Sequence, residues 1–254
     1  MLFIIYYIYV NSNVNWKIIV EGQIEDLVSK DLHHSKIHFV ICSNNQENID
    51  NCISFIETKN LPLKEFTTTT ENNFEYPGLL KLHQLGKQFP DDYFLYLHSK
   101  GMCFGNNGDR NLYEKHILQN TIKYPEYIKY LFENLKVDKA GLFPDVSGII
   151  WFNFFWISGK FLNTIPEPVV STDRYYYETG VINGGSCFNL LSYNFKKVTQ
   201  FDAIKCFKSF KNNNYFDSIK YFKKYPDLQE NGIKLRNAYS HFLNHGIREY
   251  RNLI

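Results

Sequence analysis

Several features that would settle a protein's class at once are scarce in this chain. Its five cysteines, Cys42, Cys52, Cys103, Cys187 and Cys206, form no CxxC pair and no even set. That spacing argues against a disulfide framework or a zinc site and for reduced thiols in a cytoplasmic protein. Charge of one sign is lacking too: 28 Lys and Arg against 26 Asp and Glu leave a formal net charge of +2. This is far from the basic excess that phosphate backbones require, so nucleic acid is not an expected partner. No run approaches the roughly 18 apolar residues of a membrane span. The opening Met1–Val10 has no basic n-region and no small-residue cleavage site, and reads as a first strand rather than a signal peptide. A soluble chain with no integral membrane segment is therefore expected.

What is present is a regular alternation. The 254 residues suffice for one substantial domain and a small appendage, burying roughly three quarters of the unfolded chain's surface. After the first strand, Trp16, Ile19, Val20, Ile24, Leu27 and Val28 recur at helical spacing. Strands are predicted at Ile37–Cys42 and, more weakly, at Leu63–Thr70, with a helix over Glu47–Ile56 between them. A helix over Leu79–Gln88 leads into Tyr93-Phe-Leu-Tyr-Leu97, an unbroken apolar run that reads as a strand buried on both faces. Helices over Leu112–Gln119 and Ile128–Leu135 and a short strand at Ala140–Phe143 follow. Strand and helix in alternation predict an α/β fold with a mainly parallel sheet flanked by helices.

The central run stops at His98-Ser99-Lys100-Gly101. In open α/β sheets ligands bind beyond the carboxyl ends of the strands, so these groups face a candidate cleft, although Ser, Lys and Gly are also ordinary loop residues. Glu75 and Tyr76, just ahead of Pro77-Gly78, are candidates for the same edge; alternatively Glu75 only favours a helix N-terminus. Residues 102–110, with Gly105, Gly108 and Arg110, form a loop whose N–H groups suit phosphate or plain solvent. Asn153 interrupts the aromatic stretch Trp151–Leu162 and needs hydrogen-bond partners or a ligand. Asp173, Arg174 and Glu178 suit a rim, with an Arg174–Glu178 helical ion pair as the plainer reading. His241 and His245 have the i, i+4 spacing of a metal pair but no HExxH glutamate, which favours packing.

Tyr96-Leu-His-Ser-Lys-Gly101 resembles the YxHxKG segment of a group of glycosyltransferase-like proteins. Asn153, Phe154, Trp156 and Phe161-Leu162 are similar to the same group's GNFWWAKxxYI segment, with Phe152 in place of its Gly, Phe155 in place of its Trp and Ser158 where it has Lys. Arg174-Tyr175 and Glu178 resemble its RYxxE. Beyond the break at Asn212–Asn214, the pattern Tyr225-Pro-Asp-Leu228, Gly232-Ile233, Ala238, His241, Gly246, Glu249 and Arg251 resembles a small helical module often appended to glycosyltransferases. The division implied is a domain over 1–211 and a module over 212–254, the first able to fold alone.

The resemblance implies a GT-A (Rossmann-like) fold and transfer of a sugar from a nucleotide-diphosphate donor to a hydroxyl on a glycan or protein acceptor. A non-catalytic sugar- or nucleotide-binding relative and a protein-interaction module are the alternatives. Donor binding would fall to His98, Ser99, Lys100, Gly101, Glu75, Tyr76 and Arg110. The sugar and acceptor pocket would use Asn153, Trp156 and Arg174, and Glu178 would be the general base, with Asp173 as its competitor. GT-A enzymes usually hold the diphosphate through a metal on Asp-x-Asp, and this chain has no Asp-x-Asp. No cofactor or metal is therefore expected to be required, with Lys100 neutralising the phosphate instead.

Overall fold

The computed structural model describes residues 1–99, 112–145, 147–173, 175–190, 218–241 and 245. Its centre is a seven-stranded sheet. The strands are β1 (Leu2–Tyr9), β2 (Lys36–Cys42), β3 (Lys64–Thr69), β4 (Tyr93–His98), β5 (Lys139–Gly141), β6 (Phe155–Ser158) and β7 (Cys187–Asn189). They lie in the order β3-β2-β1-β4-β6-β5-β7. β1 runs parallel to β2 and β4, β2 to β3 and β5 to β7, while β6 is antiparallel to both β4 and β5. The expected α/β class with a mixed, mainly parallel sheet flanked by helices is what the chain adopts.

Period-two alternation splits the apolar side chains between two faces. Ile4, Tyr6 and Ile8 of β1, Leu95 and Leu97 of β4, and Trp156 of β6 belong to one cluster. It is covered by α1 (Trp16–Val28), α2 (Gln46–Glu57), α4 (Leu112–Thr121) and α5 (Ile128–Glu133). Phe3, Ile5 and Tyr7, Phe94 and Tyr96, and Phe155 and Ile157 form the other face, under α3 (Tyr76–Gln88), α6 (Gly159–Leu162) and α7 (Tyr176–Thr179). α3 lies so close to the sheet that a Cβ at Gly78 would meet Tyr7 Cβ at 2.7 Å and the Tyr96 hydroxyl at 2.8 Å. Glycine there allows a close helix–sheet approach directly above the two strands that matter most for the site.

The β5–β6 connection is built from backbone that most residues avoid. Asp145 Oδ1 accepts the Ser147 N–H at 2.7 Å, Gly148 has φ 88°, and Phe143, Phe152 and Asn153 take φ 55°, 75° and 52°. The expected strand over 140–143 ends at Gly141 because the chain turns left-handed at Phe143. The buried Lys139 ammonium donates to the carbonyls of Gly148 and Ile182, tying this connection to the segment before β7. Burial lowers the Lys139 ammonium below the ordinary lysine range.

In the C-terminal segment, helices span Ser218–Lys224, Asp227–Glu230 and Ala238–His241. Ile219, Tyr221, Phe222, Leu228, Leu235 and Ala238 join the core cluster on the α4 and α5 side. Lys223 pairs with Glu126 and sits over the rings of Tyr124 and Tyr127. His241 Nδ1 lies 3.2 Å from the Tyr221 hydroxyl and its ring is 5.3 Å from that of His245, a packing environment. The 212–214 break lies outside the described residues. No helix of the described residues is long and apolar enough to cross a membrane.

Candidate functional site

In the sheet order, the connection from β1 goes to one side and β4 lies on the other, so the order reverses between β1 and β4. The carboxyl ends of those strands mark the crevice where open α/β sheets take ligands. His98 ends β4 opposite Tyr7 of β1. β6 runs antiparallel to β4 with Tyr96 opposite Phe155, which carries the chain just before β6, Phe152 and Asn153, up to His98. Glu75 arrives from the third direction, at the residue preceding α3.

These residues are joined by hydrogen bonds. Glu75 Oε2 accepts from Asn153 Nδ2 at 2.9 Å and from the Tyr96 hydroxyl at 3.3 Å. Glu75 Oε1 lies 3.7 Å from His98 Nδ1, and His98 Nε2 lies 3.0 Å from the Phe152 carbonyl oxygen. The Asn153 amide also donates to the Tyr177 carbonyl at 3.1 Å, bringing α7 to the same point. On the far side of the strand, Gln23 Nε2 donates to the His98 carbonyl at 3.1 Å and to Glu114 Oε1 at 2.5 Å. Burial, and after it the charge of Glu75, pushes the Tyr96 hydroxyl well above the ordinary tyrosine range. Burial first, then the neighbouring Cys42 and then Glu75, does the same to Tyr7. Both tyrosines therefore stay protonated at neutral pH.

Of the residues named from the sequence, the fold brings together Glu75, His98 and Asn153, and the Asn153 amide reaches the backbone of α7, which carries Glu178. Glu178 is nearly buried on α7, and its Oε2 has no hydrogen-bond partner. Tyr76 is half-buried at the start of α3, beside Tyr177. Glu75 precedes α3 but does not cap it; its carboxylate is turned to Asn153 and Tyr96 instead. Ser99 is buried and stitched to β1: its Oγ accepts the Tyr9 N–H at 2.9 Å, and its own N–H donates to the Tyr7 carbonyl at 2.9 Å.

One expectation needs correction. Trp156 lines no pocket at this edge: it is fully buried on the opposite face of the sheet, and its indole N–H donates to the Thr121 carbonyl at 2.7 Å. Alternation dictates this, because residue 156 shares its face with Leu95 and Leu97. Asp173 is exposed, with Oδ1 accepting the Tyr175 N–H at 2.9 Å in a local turn ahead of α7. Among the described residues, His98 Nε2 lies on the Phe152 carbonyl and Nδ1 on Glu75, contacts that tie the chain before β6 to the end of β4. Lys100, Gly101, Arg110 and Arg174 lie outside the described residues.

Tyr7, Tyr177 and Gln23 are not singled out by sequence. Tyr96 opens the YxHxKG-like segment without a role of its own there; two residues before His98, it lies on the same face of β4 and reaches Glu75. Phe152 takes φ 75°, the left-handed region that glycine enters without strain. The phenylalanine is held there by burial and an edge-on contact with Phe143 at 6.3 Å. Among the described residues, no group of three or more His, Cys, Asp and Glu side chains is disposed to hold a metal ion. Comparison with protein-family models and with curated proteins gave no match.

Proposed function

We propose that the chain is a glycosyltransferase that binds a nucleotide-diphosphate sugar at the carboxyl edge of the sheet and moves the sugar to a hydroxyl acceptor. The observation that carries this reading is the convergence of Glu75, Tyr96, His98 and Asn153 at the β1/β4 reversal point, with Glu178 adjoining. It is the region that the YxHxKG, GNFWW-like and RYxxE resemblances single out. Lys100, directly after Ser99, is assigned to the diphosphate, with Arg110 and Arg174 as further cations. Glu178 is assigned as general base, a role worth typically about 10²–10⁴-fold in rate. Its unpaired buried oxygen is consistent with a carboxylate awaiting a hydroxyl donor.

A second reading, a sugar- or nucleotide-binding relative without turnover, draws support from the inward commitment of His98 and of the Asn153 amide. Release of nucleoside diphosphate from a panel of nucleotide sugars, with and without divalent metal, separates the two. Turnover lost in Glu178→Gln with donor binding retained supports the transferase. Binding of uridine or guanosine diphosphate without turnover of any donor supports the second reading, and neither binding nor turnover removes both.

A further inference from the structure

The proton positions on His98 follow from its two neighbours. The Phe152 carbonyl, 3.0 Å from Nε2, has no proton to give, so Nε2 must carry one. On the other side, Nδ1 faces Glu75 Oε1 at 3.7 Å. The second oxygen of Glu75 receives the Asn153 amide and the Tyr96 hydroxyl, and two donors aimed at a carboxylate favour its ionised form. A neutral ring protonated at Nε2 would turn the lone pair of Nδ1 toward that negative oxygen. A ring protonated at both nitrogens replaces this repulsion by the attraction of opposite charges, between side chains that are 11% and 15% exposed.

We propose that Glu75 keeps His98 as an imidazolium at neutral pH. The ion pair then latches the left-handed Phe152–Asn153 turn onto the end of β4, which makes Glu75 a positioning residue for this edge of the sheet. The latch has one contact on each residue of the turn: His98 Nε2–H donates to the Phe152 carbonyl, and Glu75 accepts from the Asn153 side-chain amide. Among the described residues, the titratable groups facing the pair are Tyr96 on β4 and Tyr7 on β1 with Cys42 of β2 beside it; Glu178 follows Tyr177 on α7, and Glu114 lies behind Gln23 on the opposite face. Both tyrosines remain protonated through neutral pH, so the proton that leaves as the solution turns alkaline is that of Nδ1. Its loss points a lone pair at Glu75 and releases the clamp on two residues of left-handed backbone, which are costly to hold.

The test is a long-range ¹H–¹⁵N imidazole spectrum of the ligand-free full chain, recorded between about pH 5.5 and pH 9, with the His98 signals identified by their loss in His98→Gln. Both ring nitrogens of His98 should remain protonated at about pH 7.5, above the ~6.5 of a free histidine side chain. In Glu75→Gln, the new side-chain amide can accept from Asn153 and donate to a neutral Nδ1, so the fold should survive. The proton affinity of His98 should fall there by about tenfold or more, leaving the Nε2–H tautomer. A merely structural Glu75 would change the melting temperature without moving the His98 ring nitrogens. A His98 that titrates at or below the ~6.5 of a free histidine in the native chain overturns the proposal even if Glu75→Gln does not fold, and so does an unchanged His98 titration in a folded Glu75→Gln. No ligand or turnover enters the experiment, so the outcome is separate from that of the transferase reading.

Discussion

Asn153 is the residue whose replacement should say most about the site. Asn153→Ala removes an amide that donates to the Glu75 carboxylate at 2.9 Å and to the Tyr177 carbonyl at 3.1 Å. A bond to a charged acceptor contributes about 1.5–3 kcal/mol and a neutral one about 0.5–1.5 kcal/mol, so a loss of about 2–4 kcal/mol is expected. Asn153→Asp keeps the shape but sets a second carboxylate against Glu75. Two charges roughly 3 Å apart repel by about 5 kcal/mol at an effective dielectric of about 20. The folded pair should take up a proton rather than bear this, which raises its proton affinity above the ~3.9 and ~4.3 of free Asp and Glu. The folded state then binds more protons than the unfolded chain, so the stability of this variant relative to native falls as pH rises from about 4 through the folded-state titration. Asn153→Ala has no such added slope. Urea unfolding followed by far-ultraviolet circular dichroism at about pH 5 and about pH 8 distinguishes them. Equal losses for Asp and Ala at both pH values, or a loss below about 1 kcal/mol for Ala, would refute the reasoning.

Gly78→Ala should destabilise by about 1–3 kcal/mol despite alanine's better helix propensity, because the new methyl group meets Tyr7 and Tyr96 inside 3 Å; a denaturation midpoint equal to or above native would show that α3 can lift at no cost. Truncation after Lys211 removes the residues that cover Tyr124 and Tyr127 and contribute Ile219, Tyr221 and Phe222 to the core. Its melting temperature should fall and its surface should bind a hydrophobic dye, whereas an unchanged melt would establish 1–211 as an autonomous domain.

Periodicity carried most of the architecture. The apolar run 93–97 ends within a residue of the observed strand end, and the alternation of strand and helix gave the parallel half of the sheet. The helix after Pro77 begins three residues earlier than expected, at Tyr76, because proline is accommodated in the first turn. The left-handed pair Phe152–Asn153 was not legible: no glycine marks it, and the contacts that hold it come from residues 75 and 98. Motif likeness puts Trp156 at a pocket, but alternation alone assigns it to the opposite face, level with Leu95 of β4. His98 was rightly placed at the strand end, but its ring direction depends on Glu75 and Phe152, neither adjacent to it in sequence.

The two faces of the sheet are completed by residues far apart along the chain, which gives them different histories during synthesis. Among the described residues, the face bearing Glu75, Tyr96 and Asn153 draws on apolar residues no later than 187. The other face waits for residues 219–238 to cover a surface begun before Ile128. At about 5–20 residues per second, roughly ninety further positions take on the order of 5–20 s. A nascent chain would thus hold a finished candidate site while Tyr124 and Tyr127 still lacked their cover, and that uncovered aromatic surface is where a chaperone would first find it.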